Sequence, residues 1–96
     1  MGLPAAEVPA RRLLRLEQCI GRGYACSSPE ELDFIIEVGR ATGVVLDPVY
    51  SGKAALGMVR DLAARPVETA CFIHTGGLLG VYAQEAMLAE LVGPWQ

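Results

Sequence analysis

Three short stretches of the sequence carry the side chains with chemistry to offer. Asp47-Pro48-Val49-Tyr50-Ser51-Gly52-Lys53 brings together a carboxylate, a phenol, a hydroxyl and the only lysine of the chain. His74-Thr75-Gly76-Gly77 adds an imidazole, a hydroxyl and a glycine pair that either makes a tight turn or lets backbone approach a ligand closely. Tyr24 follows Gly23 in a third, glycine-rich turn, and by itself reads as a turn tyrosine half buried against the next helix. A metal centre of ordinary type is not indicated, because His74 is the single histidine and Cys19, Cys26 and Cys71 show no C-x-x-C spacing. His74 has no obvious carboxylate partner and reads as a structural anchor of a strand end. Lys53 falls in the first turn of a helix, against its dipole, and therefore calls for a carboxylate or carbonyl partner. Ser51 reads as an ordinary helix N-cap.

Two nucleotide-binding patterns begin and fail. Gly21-Arg22-Gly23-Tyr24-Ala25-Cys26 opens like a dinucleotide fingerprint, but Cys26 stands where the third glycine belongs and no strand precedes it. Gly52-Lys53 ends like a phosphate-binding loop, but Asp47 replaces its first glycine and Ala54 its magnesium-binding hydroxyl.

The elements that must position these residues follow from the apolar spacing. Leu13, Leu16 and Ile20 share a stripe that predicts a helix from Pro9 to Ile20, stopped by Gly21 and Gly23. Ser28, Pro29 and Glu31 spell a capping box, and Leu32, Ile35, Ile36 and Gly39 form one face of a second helix that Gly43 ends. Val44-Val45-Leu46 predicts a short buried strand closed by Asp47-Pro48. Ala55, Met58, Val59 and Leu62 mark a third helix from Ser51 to Pro66. Thr69 to Ile73 predicts a second strand, and Leu79, Tyr82, Ala83 and Ala86 a last helix to about Val92. The expected fold class is therefore α/β, a partial parallel sheet flanked by helices, with both polar stretches at strand ends where ligands bind. Two strands do not make a stable sheet alone, so either further sheet is expected from elsewhere or the turn from Gly21 to Cys26 holds another strand.

Composition narrows the function classes. The 96 residues are 52% apolar with a net charge of −3, which suits one packed unit rather than a disordered tail, and suggests missing neighbours in so short a chain. Arginines gather only at Arg11, Arg12 and Arg15, so no nucleic-acid footprint is supported, and no apolar run reaches membrane-spanning length. Ala6 stands where a myristoylation signal after Gly2 needs Ser or Thr. The arginine-rich stretch from Ala10 to Leu16 is amphipathic like a transit peptide, yet Glu7 and Glu17 flank it and serine is missing from it. An intracellular protein, cytoplasmic or organellar, with reduced thiols serving as small core residues is the expectation.

In chain order, Gly23-Tyr24, the helix start Ser28-Pro29-Glu30-Glu31, Leu46-Asp47-Pro48-Val49-Tyr50-Ser51-Gly52-Lys53-Ala54 and Phe72-Ile73-His74-Thr75-Gly76-Gly77 form one set. From about Gly21 to Tyr82 the chain thereby resembles the D-cysteine desulfhydrase / aminocyclopropane-carboxylate deaminase family. The resemblance implies the C-terminal part of a tryptophan-synthase-β-like enzyme domain over residues 1–96, with residues 1–20 as an N-terminal helix. It implies pyridoxal phosphate as cofactor and a small amino acid as substrate. By the same resemblance Tyr50 lies against the pyridine ring, Tyr24 faces the substrate, Ser51 faces the ring nitrogen, and Thr75 and Gly76 stand close by.

The family's deaminases carry Glu and Leu at the positions of Ser51 and Thr75, whereas its desulfhydrases carry Ser or Thr and then Thr. The pair present here implies release of sulfide from D-cysteine, giving pyruvate and ammonia. A neutral hydroxyl at the ring nitrogen supports a weaker electron sink than a carboxylate, which suffices for a thiol leaving group. Two features depart from the family: Ala25 stands where it has Gly after the tyrosine, and the loop before Thr69 is shorter. The family's cofactor-bearing lysine and phosphate loop lie upstream in full-length members and have no counterpart here, Lys53 not being that lysine. The expectation is a lyase fragment inactive alone, with a deaminase-type fragment or a non-catalytic module as alternatives. The expected partners are the missing N-terminal part, supplied if need be by another polypeptide, or a second copy, with no nucleic acid and no membrane.

Overall fold

The computed structural model describes residues 9–94, so the readings made on Gly2, Ala6 and Glu7 lie outside the described residues. Four α-helices and one 3₁₀ segment appear in the order α1 (Ala10–Leu13), α2 (Pro29–Thr42), α3 (Ser51–Ala64), the 3₁₀ segment Leu78–Gln84 and α4 (Glu85–Val92).

Helix α2 forms where its capping box predicts. Ser28 Oγ accepts the Glu31 N–H at 3.2 Å while Glu31 Oε2 accepts the Ser28 N–H at 3.0 Å, so two donors that a helix start leaves free are satisfied by one reciprocal pair. At the other end Gly43 turns left-handed with φ 76°, a conformation glycine takes without steric cost, and closes on the Gly39 carbonyl. Leu32 and Ile35 on its inner face meet Leu46 and Ala55 in a small core, with Phe34, Val38, Phe72 and Leu88 packed around it. Gly52 allows this closeness, since a Cβ there would lie 2.6 Å from the Asp47 carbonyl and 2.8 Å from Ile35 Cγ1.

The expected partial parallel sheet is absent: there is no strand among the described residues. The reason is local competition for the backbone groups that a ladder would use. In the run Val44–Leu46 the Val44 N–H donates to Thr42 Oγ1 at 3.0 Å, the Val45 carbonyl pairs with His74 Nε2 at 2.8 Å, and the following Asp47 N–H goes to Ser51 Oγ at 2.8 Å. Side chains thus take positions that a neighbouring strand would need, and only Leu46 of the run is buried, Val44 and Val45 being 45% and 51% exposed. The stretch Thr69–Ile73 likewise stays irregular, inserting Phe72 against the core and leaving Ile73 exposed.

The helix expected from Pro9 to Ile20 shrinks to Ala10–Leu13, with Leu14 already extended. Its leucine stripe has nothing to pack on, and Leu16 is 92% exposed. What holds the segment is charge. Arg15 bonds Asp61 at 2.6 Å, and Arg65 bonds Glu17 at 3.2 Å and also Asp61. Residues 15 and 17 share a side only in an extended chain, and this spacing matches the one-turn separation of Asp61 and Arg65. Cys19 then packs beside Gly57, where a Cβ would come within 2.3 Å of its sulfur. Cys26 and Cys71 are exposed and so are not the core residues expected; all three thiols are free. The radius of gyration, 16.4 Å, exceeds the roughly 12–13 Å of a compact domain of this length, in keeping with the many apolar residues left uncovered.

Candidate functional site

The site is built around the Asp47 carboxylate, which the sequence places among the polar groups after Leu46 without assigning it a role. Asp47 is 1% exposed, and its Oδ2 accepts the N–H groups of Val49 at 2.8 Å and Tyr50 at 2.7 Å, while Oδ1 accepts that of Ser51 at 2.9 Å. Burial alone would raise its pKa; the bonds from the Ser51 hydroxyl and the three N–H groups outweigh it and hold the carboxyl below its usual range. Asp47 therefore does the capping expected of Ser51: the N-cap position is Tyr50, without a side-chain cap, and the buried anion meets the positive end of α3. The signal was available in an Asp four residues ahead of a helix start, a type that readily bonds the backbone ahead of it.

Ser51 is 3% exposed and engaged in both directions, its hydroxyl donating to Asp47 Oδ1 at 2.5 Å and accepting from the Asp47 N–H. One lone pair is all its oxygen has left. Tyr50, one residue earlier, is turned outward and 59% exposed, with its backbone fixed by Asp47. Its hydroxyl bonds that of Tyr24 at 3.4 Å, and the two rings meet at 6.0 Å with 56° between their planes. The bond to Tyr24, then the charge that Tyr24 can carry, burial and the Asp47 carboxylate raise the Tyr50 phenol above its ordinary value of 10.0. At neutral pH Tyr50 is a proton donor, not a base.

The pair lies along a largely apolar cleft of about 350 Å³ lined by Cys19, Ile20, Tyr24, Val49, Tyr50, Lys53 and Ala54. Tyr24 reaches it on a loop of unusual backbone: Gly21, Gly23 and Ala25 have φ of 63°, 127° and 55°. Ala25 is the one described non-glycine residue in the left-handed region. Lys53 meets this loop from α3, as the expected need for a partner required. Its ammonium donates to the carbonyls of Ile20 at 2.6 Å, Gly23 at 2.8 Å and Cys26 at 2.7 Å, with Glu31 Oε2 at 3.8 Å.

The second polar stretch folds over the first. A Cβ on Gly77, which has φ 94°, would come within 2.4 Å of Asp47 Oδ1, so the glycine pair brings backbone down onto the buried carboxylate. His74 ends no strand, yet it ties two backbone segments together: the Gly76 N–H donates to Nδ1 at 3.1 Å, which leaves Nε2–H to donate to the Val45 carbonyl. Thr75 is exposed, and Gly76 borders open space with φ 99°. The structure thus joins Tyr24 to Tyr50 and Ser51 to Asp47, and sets Thr75 and Gly76 immediately before the glycine that covers Asp47. Among the described residues there is no cluster of three or more side chains able to hold a metal ion, and no helix is long and apolar enough to cross a membrane.

No protein-family model and no solved structure matches the chain. Curated proteins do. A bifunctional D-cysteine desulfhydrase/1-aminocyclopropane-1-carboxylate deaminase of Arabidopsis thaliana, described as mitochondrial, is 44% identical over 94 residues, which is 94% of this chain and 23% of the relative. A protein of Thermotoga maritima named as a candidate 1-aminocyclopropane-1-carboxylate deaminase is 41% identical over 68 residues, 71% of this chain and 22% of the relative. A protein of Pyrococcus horikoshii with the same name is 44% identical over 71 residues, 72% of this chain and 22% of the relative. The chain spans less than a quarter of the length of these relatives. Over nearly all of its own length, however, its homologues are D-cysteine desulfhydrase/1-aminocyclopropane-1-carboxylate deaminase proteins, and the chain matches the C-terminal portion of that family.

Proposed function

We propose that residues 1–96 form the C-terminal part of a pyridoxal-phosphate-dependent carbon–sulfur lyase of the D-cysteine desulfhydrase type, which in complete form turns D-cysteine into pyruvate, sulfide and ammonia. The observation that carries this reading is the Tyr24–Tyr50 hydroxyl pair, set by Asp47 and Lys53 at the edge of an apolar cleft. An outward-facing phenol that keeps its proton and a second phenol beside it suit the handling of a small amino acid at an aromatic ring. The place of action is intracellular.

The residues present fit one wall for the cofactor and do not fit its covalent attachment. Tyr50 offers an exposed ring, whereas Lys53, the only lysine, has its three donors on three carbonyls. When bound, pyridoxal phosphate supplies the electron sink for breaking bonds at the substrate's α-carbon. With the cofactor in place Tyr50 would flank the ring, Tyr24 would orient the substrate, and Ser51, Thr75 and Gly76 would help to hold the cofactor. Ser51 brings a lone pair to this task, its hydrogen being held by Asp47. Lys53 is held by carbonyls and does not match the family's cofactor-bearing lysine, so the chain alone is inactive.

Deamination of 1-aminocyclopropane-1-carboxylate is the second reading, favoured by the names of the Thermotoga and Pyrococcus relatives. A chimera separates the two: the chain replaces its matched segment in the Arabidopsis relative, and sulfide release from D-cysteine is compared with ring opening of 1-aminocyclopropane-1-carboxylate. Faster sulfide release is expected, falling by about 10²-fold in Tyr50→Phe if its hydroxyl moves a proton. A folded chimera that releases no sulfide would overturn the desulfhydrase reading.

A further inference from the structure

The loop from Ile20 to Cys26 holds Tyr24 in place without an apolar anchor. Tyr24 is 70% exposed, Ile20 is 48% exposed, and Arg22, Ala25 and Cys26 are also exposed. Its own backbone bonds are two successive turns, Gly23 N–H to the Ile20 carbonyl at 3.3 Å and Cys26 N–H to the Gly23 carbonyl at 3.2 Å. Left-handed φ at three of its residues removes any regular ladder. Apart from the Gln84 amide on the Ala25 carbonyl at 3.3 Å, the strong tie to the rest of the molecule is the Lys53 ammonium.

That ammonium is built into the turns. An ammonium has three donors, and here they meet the two carbonyls that close the turns and the carbonyl that ends them, within 2.6–2.8 Å. Its side chain is 5% exposed, and Glu31, itself fixed by Ser28, stands at 3.8 Å as counter-charge. Lys53 lies three residues after Tyr50, the N-cap of α3, and both side chains line the same cleft. The side chain that grips the Tyr24 loop and the side chain that Tyr24 must meet therefore share one rigid turn, whose start Asp47 fixes.

We propose that Lys53 is a positioning residue, a cationic clasp that gathers the carbonyls of Ile20, Gly23 and Cys26 and thereby sets the hydroxyl of Tyr24 against that of Tyr50. The clasp is a property of this chain. Its bearing on catalysis rests on the reading of the two tyrosines given above, and the test does not depend on activity.

In the 96-residue chain carrying Tyr82→Phe, only Tyr24 and Tyr50 titrate as phenols, and their ionisation is followed by phenolate absorbance. Tyr24→Phe should lower Tyr50 from its raised position toward its ordinary value, since the two largest causes of the rise come from Tyr24. Lys53→Met should do the same, and the double variant should shift it no further. Helix content by circular dichroism identifies the folded fraction in which the titration is read. Lys53→Arg, which keeps the charge but not three donors at one point, should give the same loss of the raised titration. A folded Lys53→Met or Lys53→Arg chain whose Tyr50 titration stays raised, and still depends on Tyr24, overturns the proposal. The unaltered chain provides a measurement that needs no lysine variant: reductive methylation should modify the N-terminus and spare Lys53 under native conditions. Rapid native methylation of Lys53 would show that the clasp is open and overturn the proposal as well.

Discussion

The junction between α2 and α3 and the stretch from Pro66 to Tyr82 are both rich in apolar residues, yet only the first closes on itself. At the junction every buried polar group has a partner: Asp47 holds three N–H groups and a hydroxyl, Lys53 holds three carbonyls, and Glu31 joins the capping box. Beyond Pro66, Ile73 is 77% exposed, Leu79 81% and Tyr82 68%. The difference teaches that the local fold of this chain follows from how its polar groups are satisfied, while its apolar content exceeds what its own core can bury. A core led by Leu32, Ile35, Leu46 and Ala55 is small, so the polar pairs beside it determine which conformation it takes.

The largest effect should come from the core itself. Leu32 is 1% exposed, and Leu32→Ala should lower unfolding free energy by about 2–5 kcal/mol through lost burial and the cavity left behind. Chemical denaturation followed by circular dichroism measures it. A cost under about 1 kcal/mol, typical of surface sites, would erase the contrast between the two regions.

Acid should act next, through Asp47. Its folded carboxyl lies below the ordinary value of 3.8, so the unfolded chain takes up protons first as pH falls. The stability it contributes is complete above that value and is lost as pH drops through the lower, folded one. Asp61 is also held low, first by Arg65 and then by Arg15, but at the surface, where ion pairs are worth little. The denaturation midpoint should therefore fall on acidification below about pH 4, and more steeply in the unaltered chain than in Asp47→Asn. Equal slopes would remove Asp47 from the centre of the junction.

These contrasts mark what was legible beforehand. Ser28 and Glu31 announced α2 because a capping box is a contact over three residues, and Gly43 announced its end for the same local reason. Lys53 announced only its need for a partner, since the carbonyls that meet it lie about thirty residues away in a loop with no periodic signal. Tyr24, Tyr50, Ser51 and Thr75 were singled out through family motifs, and the two tyrosines stand together, while the bond of Ser51 to Asp47 had no advance signal beyond the acid's place before a helix. The sheet failed as an expectation because β-branched runs promise strands only when a neighbour takes their backbone groups; here Thr42, Ser51 and His74 take them instead. The Pro9–Ile20 helix failed similarly, its apolar stripe having no surface to meet and its charges fitting α3 in extended form.

A smaller effect is expected on the junction's own weak point. Ala25 sits at φ 55°, where a Cβ costs about 1–2 kcal/mol, in the loop that Lys53 clasps. Ala25→Gly should remove that strain, offset in part by the greater freedom of glycine in the unfolded chain, for a net gain of about 0.5–1 kcal/mol. A loss of stability of similar size would mean that the loop does not hold its left-handed turn in solution.

The smallest effect separates the regions most cleanly. Ile73 lies between Phe72, which packs on the core, and His74, which holds the Val45 carbonyl, so its backbone is fixed although its side chain is not covered. If apolar content as such ordered this stretch, Ile73→Ser would cost as much as other buried-to-polar changes. Since the side chain is 77% exposed, the change should stay within about 0.5 kcal/mol by denaturation. His74→Ala in the same assay should cost more, because it frees the Val45 carbonyl and the Gly76 N–H together. The reverse ranking would place the ordering of the stretch in its apolar side chains, and the two regions would then obey one rule.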